Sequence, residues 1–458
     1  KDSPKIEFKV KTGSSLLDTK FYFEDKTIFS DDLLRYEYHR YGYKYITDGN
    51  AIYISKTSKK ETNKYNKCLE IKYFINDKKR WLTRLIAKMF YIKKEVWLYY
   101  DCKGVKKDNG YYQFIHDLEK NDGVKRYFVT THNKNDIKEL FNRKQRKHLI
   151  KFNSIKHKFY YLYANKVITA YVEQNNCSPY TKKSFLNYID ISKNPEIIYL
   201  QHGVLHAHMP WKYSIDRLLI DKEVVSTSFE KNNLMKNYSF AKHNLIESGM
   251  PRYDYVDQDK KAKNVILFAP SWRNYLIGKQ GNEWVNNDEL FLNSSFYKET
   301  QKFLNSPELK KLLKKYNYIL DFKLHPIFKR YEHHYKIDND NVILGTGNYN
   351  NDDYKVFITD YSSFVFDFVY LKRAVVYFFP DYDMFKAGLN IYREIDLPFE
   401  EGFGEFCETS DKLLNRLEII LKNNGFDEKK YQMRSKDFFL YYDNNQCDRI
   451  YDEIIKKD

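Results

Sequence analysis

Val356-Phe357-Ile358-Thr359-Asp360-Tyr361-Ser362-Ser363-Phe364-Val365-Phe366-Asp367 is the stretch whose reading decides the fold. Its apolar opening reads as a strand buried on both faces, the small hydroxyl residues as a turn, and the second apolar run as a helix. Hydroxyls and backbone N–H groups at Ser362 and Ser363 suit a diphosphate, and Asp367, in the first helical turns, suits a ribose hydroxyl. The same residues also suit plain helix capping.

Outward from this stretch the pattern repeats. Val96 to Tyr100, Arg126 to Thr130, Val167 to Val172 and Glu196 to Leu200 read as buried strands, each followed by helix-length sequence. After about Gln258 it restarts with Asn264 to Ala269, Tyr318 to Leu324, Lys355 to Thr359 and Ala374 to Phe379. Alternation of this kind predicts an α/β fold of two Rossmann-like, doubly wound domains facing across a cleft, with ligands beyond the carboxyl ends of the strands. The expected domains are residues 95–258 and 259–458, the latter closing in charged helices from Ser410 to Asp458. Upstream, residues 1–77 alternate polar and apolar residues, as in Ala51-Ile52-Tyr53-Ile54-Ser55, and predict a small β-rich accessory domain. Residues 78–94 predict a basic amphipathic helix with Leu82, Leu85, Ile86, Met89 and Phe90 on one stripe and Arg80, Arg84 and Lys88 on another. It suits an anionic membrane surface or packing between domains.

The 458 residues carry 78 basic and 62 acidic side chains, a net charge of +16 that favours polyanionic partners. The five cysteines are scattered without a Cys-x-x-Cys pair, which predicts reduced thiols rather than a disulfide framework or a zinc site. There is no apolar run of membrane-spanning length and no signal-peptide pattern. A chain that begins at Lys1 rather than Met reads as trimmed. Glycine-rich dinucleotide, Walker A, His-Glu-x-x-His and nucleophile-elbow motifs are absent, which argues against dehydrogenases, P-loop ATPases, zincins and α/β-hydrolases.

The residues after each strand are the candidates for chemistry. His202, in Gln201-His202-Gly203, is either a general base for a hydroxyl nucleophile or a structural turn residue. His206 and His208 follow; an acceptor-side role fits them better than a metal site with His202. In Ala269-Pro270-Ser271-Trp272-Arg273, Arg273 is expected to contact phosphate or to form an interdomain ion pair. His325, before Pro326, sits where a helix begins and either donates to a phosphate or plays a purely structural role.

Taken in order, Gln201-His202-Gly203, Gly249-Met250-Pro251-Arg252-Tyr253-Asp254, Ala269 to Arg273, Lys323-Leu324-His325-Pro326 and Ile358 to Ser363 resemble the CDP-glycerol glycerophosphotransferase family of teichoic acid and capsule polymerases. The likeness spans roughly Val96 to Tyr392. It implies a GT-B-like fold and transfer of a glycerol-phosphate or ribitol-phosphate unit from CDP-glycerol or CDP-ribitol, with release of CMP. The implied acceptor is a polyol-phosphate polymer or an undecaprenyl-linked primer. The implied location is peripheral, at the cytoplasmic face of the bacterial membrane, with an anionic membrane surface as partner and no nucleic acid. By position, His202 matches the family's general base. His325, Ser362 and Ser363 match its donor-phosphate residues, and Arg273 the arginine of its Pro-Thr-Trp-Arg-like motif. Ser271, Thr359, Asp360 and Asp367 fall in the donor-binding segments, and His206, His208 and Arg252 on the acceptor side. No cofactor or metal ligand is required, with Mg²⁺ an allowed stimulant. Many members carry Trp-His-Gly-Thr-Pro where this chain has Gln201-His202-Gly203-Val204-Leu205. The competing readings are a GT-B glycosyltransferase using a nucleotide sugar and a basic nucleic-acid-binding protein.

Overall fold

Val96, Trp97, Leu98, Tyr99 and Tyr100 are all buried, as an uninterrupted apolar run in a parallel sheet should be. The computed structural model describes residues 5–7, 9–12, 15–18, 35–40, 42–48, 51–76, 78–89, 95–101, 106–171, 177–179, 195–215, 217–218, 220–280, 283–345, 347–390 and 392–456. These divide into two compact units, residues 1–107 with 118–197 and residues 108–117 with 198–458. The division at Ile198 falls inside the segment expected as one domain, 95–258.

In the first unit, β1 (Lys5–Glu7), β4 (Arg35–Arg40), β5 (Tyr43–Asp48) and β6 (Ala51–Lys56) form an antiparallel sheet in the order β1-β6-β5-β4. β2 (Lys9–Thr12) and β3 (Ser15–Asp18) make a separate hairpin. The β-rich reading stops short of residue 77, because α1 occupies Lys59–Asn76. The missed signal is a capping box: Ser58 N donates to Glu61 Oε2 at 2.8 Å, and Glu61 N donates to Ser58 Oγ at 3.2 Å. α2 follows at Lys78–Met89; Phe90 and the rest of the expected segment lie outside the described residues. β7 (Val96–Tyr100), β8 (Lys125–Thr130), β9 (Leu149–Lys151) and β10 (Lys166–Thr169) are parallel, in the order β10-β7-β8-β9. Val172, expected to end the last of these strands, is outside the described residues.

The second unit takes in α3 (Asn109–Asp117) from between β7 and β8. β11 (Glu196–Tyr199) enters it at Ile198 and continues into a parallel set with β12 (Lys222–Val225) and β13 (Leu245–Glu247). Beyond lie β14 (Val265–Phe268) and a small hairpin, β15 (Gly278–Gln280) with β16 (Glu283–Val285). β17 (Ile319–Phe322), β18 (Val342–Leu344), β19 (Val356–Thr359), β20 (Ala374–Phe378) and β21 (Gly404–Cys407) complete a six-stranded parallel sheet with β14. Alternate residues feed its two faces. Ile266, Phe268, Ile358 and Phe378 pack with the helices at Ser295–Leu304, Pro307–Tyr316 and Ser410–Lys422. Leu267, Phe357 and Val375 pack with the helix at Val365–Tyr370. The order β18-β17-β14-β19-β20-β21 reverses direction between β14 and β19. The loops after these two strands therefore flank a topological switch point, where such sheets bind ligands.

Candidate active site

Gln201, directly after β11, has φ of 67°, a left-handed backbone that a non-glycine residue adopts only when its surroundings compel it. Its side-chain amide donates to Glu223 Oε1 (2.7 Å) and Glu230 Oε1 (2.9 Å), and its carbonyl accepts from Asn109 Nδ2 at 2.7 Å. These buried bonds fix the turn and present His202, whose side chain is 49% exposed, to solvent. Burial drives the Glu230 carboxyl up to about 7 and Glu223 well above the carboxylate range, the latter also through the charge of Glu230.

His202 Nδ1 lies 2.5 Å from Asp108 Oδ2, whose side chain is 4% exposed. The carboxylate accepts the Nδ1 proton, so the neutral ring carries its lone pair on Nε2, the arrangement a general base needs. Arg252 braces the same loop: Nη1 donates to the His202 carbonyl at 2.9 Å and lies 3.6 Å from Asp108 Oδ1. Its Nε and Nη2 hold both oxygens of Asp367, at 2.8 and 3.0 Å. Arg252 is thus a structural brace rather than an acceptor contact. Asp367, expected at a ribose, spends both oxygens on that guanidinium.

His202 opens on a cavity of about 320 Å³ within the second unit, whose lining also includes Ser271, Trp272, His325, Ser362 and Ser363. Gly203 lets the His202 turn approach the serines, because a Cβ there would stand 3.1 Å from Ser363 Oγ. His325 Nδ1 accepts Ile327 N–H at 3.3 Å, which leaves the ring proton on Nε2 as a donor. Burial lowers the His325 pKa, with the charge of Asp360 opposing. The helix after Ser362 and Ser363 is only six residues long, Val365–Tyr370, and Ser362 Oγ accepts Phe364 N–H at 3.3 Å. The two serines therefore offer mainly local hydroxyl and amide donors rather than the end of a long helix dipole.

The remaining donor-side candidates lie behind the cavity wall. Arg273 is fully buried. Its Nε and Nη2 donate to both oxygens of Asp381 at 2.8 Å, and its Nη1 bonds Asp360 and the Ser271 carbonyl. Burial opposes its charge, but Asp381 and Asp360 more than reverse this and hold its pKa well above the usual value. The expectation that Arg273 meets the donor's phosphate gives way to a structural role, since two carboxylates saturate its fork. Asp360 also accepts Ser271 N–H at 2.9 Å, and Thr359 Oγ1 donates to the Ala269 carbonyl at 3.0 Å. Thr359, Asp360 and Arg273 shape the Ser271 loop. Among the described residues, no lysine or arginine lines the cavity.

The three nearby histidines take separate partners. His206 is buried, Nε2 donates to the Tyr361 carbonyl at 2.9 Å, and burial lowers its pKa to about 4. That makes it a neutral wall residue rather than an acceptor-side ligand. His208 pairs with Asp396, Nδ1 to Oδ1 at 2.6 Å, and lines a neighbouring cavity. Elsewhere, Asp288, His333 and His334 form a cluster of metal-ligand type, in which His334 Nε2 lies 2.8 Å from Asp288 Oδ1.

Residues 81–456 match the family described as CDP-Glycerol:Poly(glycerophosphate) glycerophosphotransferase. The chain belongs to that family. Among curated relatives of this glycerophosphotransferase-family chain is the minor teichoic acid biosynthesis protein GgaB of Bacillus subtilis (strain 168), 30% identical over 83% of this chain and 42% of that protein. A teichoic acid poly(ribitol-phosphate) polymerase of Bacillus spizizenii is 24% identical over 58% of this chain and 44% of its own. The chain spans about half the length of these relatives. The solved structure of the wall teichoic acid polymerase TagF matches with a TM-score of 0.55 at 16% identity, covering 87% of this chain and 98% of that one. The fold of the family member described here is accordingly GT-B-like.

Asp108 is the principal residue that sequence reasoning missed. Asp108-Asn109-Gly110 signals the start of α3, and Asn109 N does donate to Asp108 Oδ1 at 2.8 Å. Nothing local marks that carboxylate as the partner of a histidine 94 positions away.

Proposed function

We propose that this chain transfers an alditol-phosphate unit from a CDP-alditol, CDP-glycerol or CDP-ribitol, to a hydroxyl of a polyol-phosphate chain or its lipid-linked primer. The observation that carries this reading is the one cavity that gathers His202, backed by Asp108, with Ser271, His325, Ser362 and Ser363. The acceptor hydroxyl attacks the donor phosphorus that bears the alditol. Its proton passes to His202 Nε2 as the new O–P bond forms, and the bond from that phosphorus to the bridging oxygen breaks, releasing CMP. Charge on the transferring group meets His325 Nε2–H and the hydroxyl and amide donors of Ser362 and Ser363. Because Asp360 and Asp381 neutralise Arg273, a divalent cation entering with the diphosphate would add positive charge without protein ligands, as a stimulant.

The same reading places the chain at the cytoplasmic face of a bacterial membrane. α2 supports this, with Leu82, Leu85, Ile86 and Met89 exposed by 50, 40, 42 and 72%. No described helix is long and apolar enough to cross a membrane.

Incubation with CDP-glycerol or CDP-ribitol and a lipid-linked acceptor, with and without Mg²⁺, tests the proposal. CMP release together with a phosphate-containing product increment is expected. Mass addition of a sugar from a nucleotide sugar, without CMP release from either CDP-alditol, would refute it.

A further inference from the structure

A second cavity, of about 520 Å³, lies beside the first, and the two share Asn390 and Tyr392 in their walls. Its chemistry is distinct. His208, Trp211, Arg393 and Glu394 line it. Asp396 pins the His208 ring through Nδ1 at 2.6 Å, and its other oxygen is taken by Tyr238 OH (2.6 Å) and Asn233 Nδ2 (2.9 Å). The ring is thereby oriented with its Nδ1 proton committed, and Nε2 is the atom left to accept from a ligand hydroxyl. Trp211 is 55% exposed, a large apolar surface with no counterpart in the first cavity's exposed residues.

Arg393 differs from the arginines around His202. Arg252 and Arg273 are each clamped by a carboxylate pair of oxygens, whereas Arg393 is exposed and forms no ion pair among the described residues. A guanidinium without an internal counter-charge, on the wall of a polar cavity, suits a phosphodiester. The one carboxylate in the lining, Glu394, opposes an anion but accepts from hydroxyls. Arg393, Glu394 and His208 Nε2 together match a ligand that alternates phosphate and polyol.

We propose that this second cavity is a subsite for the acceptor chain. With the reacting hydroxyl at His202, the preceding phosphodiester lies on Arg393, its polyol hydroxyls on Glu394 and His208, and its carbon backbone against Trp211. The inference rests on the transferase reading for the identity of the acceptor, and on the shared residues Asn390 and Tyr392 for its path. It predicts that acceptors of several repeats are preferred over a single repeat.

Calorimetric binding of synthetic three-unit glycerol-phosphate and ribitol-phosphate oligomers, in the absence of any nucleotide, tests the subsite directly. At least one trimer should bind more tightly than glycerol 3-phosphate or inorganic phosphate. R393A should weaken the trimer by about tenfold or more, the scale of a lost charge-assisted hydrogen bond, and W211A should weaken it by a smaller factor. CDP-glycerol affinity, measured on the same samples, should not follow. Trimers that fail to bind, that bind no better than inorganic phosphate, or that bind R393A and W211A as they bind the native chain would overturn the subsite. CMP release is scored separately: trimer binding through Arg393 without turnover of either CDP-alditol would keep the subsite and remove the transferase reading.

Discussion

His202 Nδ1 and Asp108 Oδ2 stand 2.5 Å apart across 94 positions of sequence, in a turn whose entry is held by the left-handed Gln201. A carboxylate at Nδ1 sets the tautomer and holds the ring in place while Nε2 takes a proton. The pair explains how a half-exposed histidine is aimed at the cavity without burial.

H202A is expected to lower CMP release by about two to four orders of magnitude, with calorimetric binding of the CDP-alditol retained. D108N keeps the shape but reverses the hydrogen bond, so it should lower turnover by about two or more orders of magnitude with little change in donor binding. Turnover of either variant near the native level would remove the pair from proton transfer.

Arg273 is expected to act through the fold. R273A leaves Asp360 and Asp381, both fully buried, without their counter-charge, and losing one partner of a buried pair costs roughly 3–5 kcal/mol. Thermal unfolding should therefore show a clear fall in the midpoint for R273A. An unchanged midpoint combined with lost donor affinity would instead identify Arg273 as a phosphate ligand.

Glu230 links stability to pH. Its carboxyl is held at about 7 in the folded chain against an ordinary 4.5, so between these values the folded state keeps a proton that the unfolded state has lost. Its contribution is therefore present at pH 4.5 and below, falls as pH rises to about 7, and is flat above, on the order of 3 kcal/mol in total. Burial and the charge of Glu230 push the neighbouring Glu223 carboxyl well above its ordinary value as well. E230Q should show a smaller drop in midpoint than the native chain between pH 5 and 7.5; parallel curves would contradict the assignment.

α2 supplies a surface prediction. Leu82 and Met89 are both exposed, so L82E/M89E should leave the unfolding midpoint almost unchanged, within about 0.5 kcal/mol. Cosedimentation with phosphatidylglycerol vesicles should drop several-fold. Equal sedimentation of the two proteins would mean that α2 does not face lipid.

Local sequence determined a good deal. The apolar runs at Val96, Val265, Val356 and Ala374 become strands because hydrogen-bonding period and side-chain burial are both written within a few residues. The positions after those strands were legible for the same reason, which is why Ser271, Ser362 and Ser363 were found and do line the cavity. His202 and His325, placed by the same rule, line it too. The start of α1 is equally local, since the Ser58–Glu61 capping box ends the alternating pattern of β6 and begins the helix within four residues.

Tertiary structure alone decided which charges meet. Asp108 with His202, Arg252 with Asp367 and Arg273 with Asp381 are joined across 94, 115 and 108 positions. A guanidinium after a strand looks the same in sequence whether it faces a phosphate or a buried carboxylate. Only the chain crossings that bring distant carboxylates beside it settle the matter, because burial makes each charge seek the nearest opposite one. Sequence therefore named the loops that build this cavity, and the fold assigned which of their side chains line it and which hold the wall behind it.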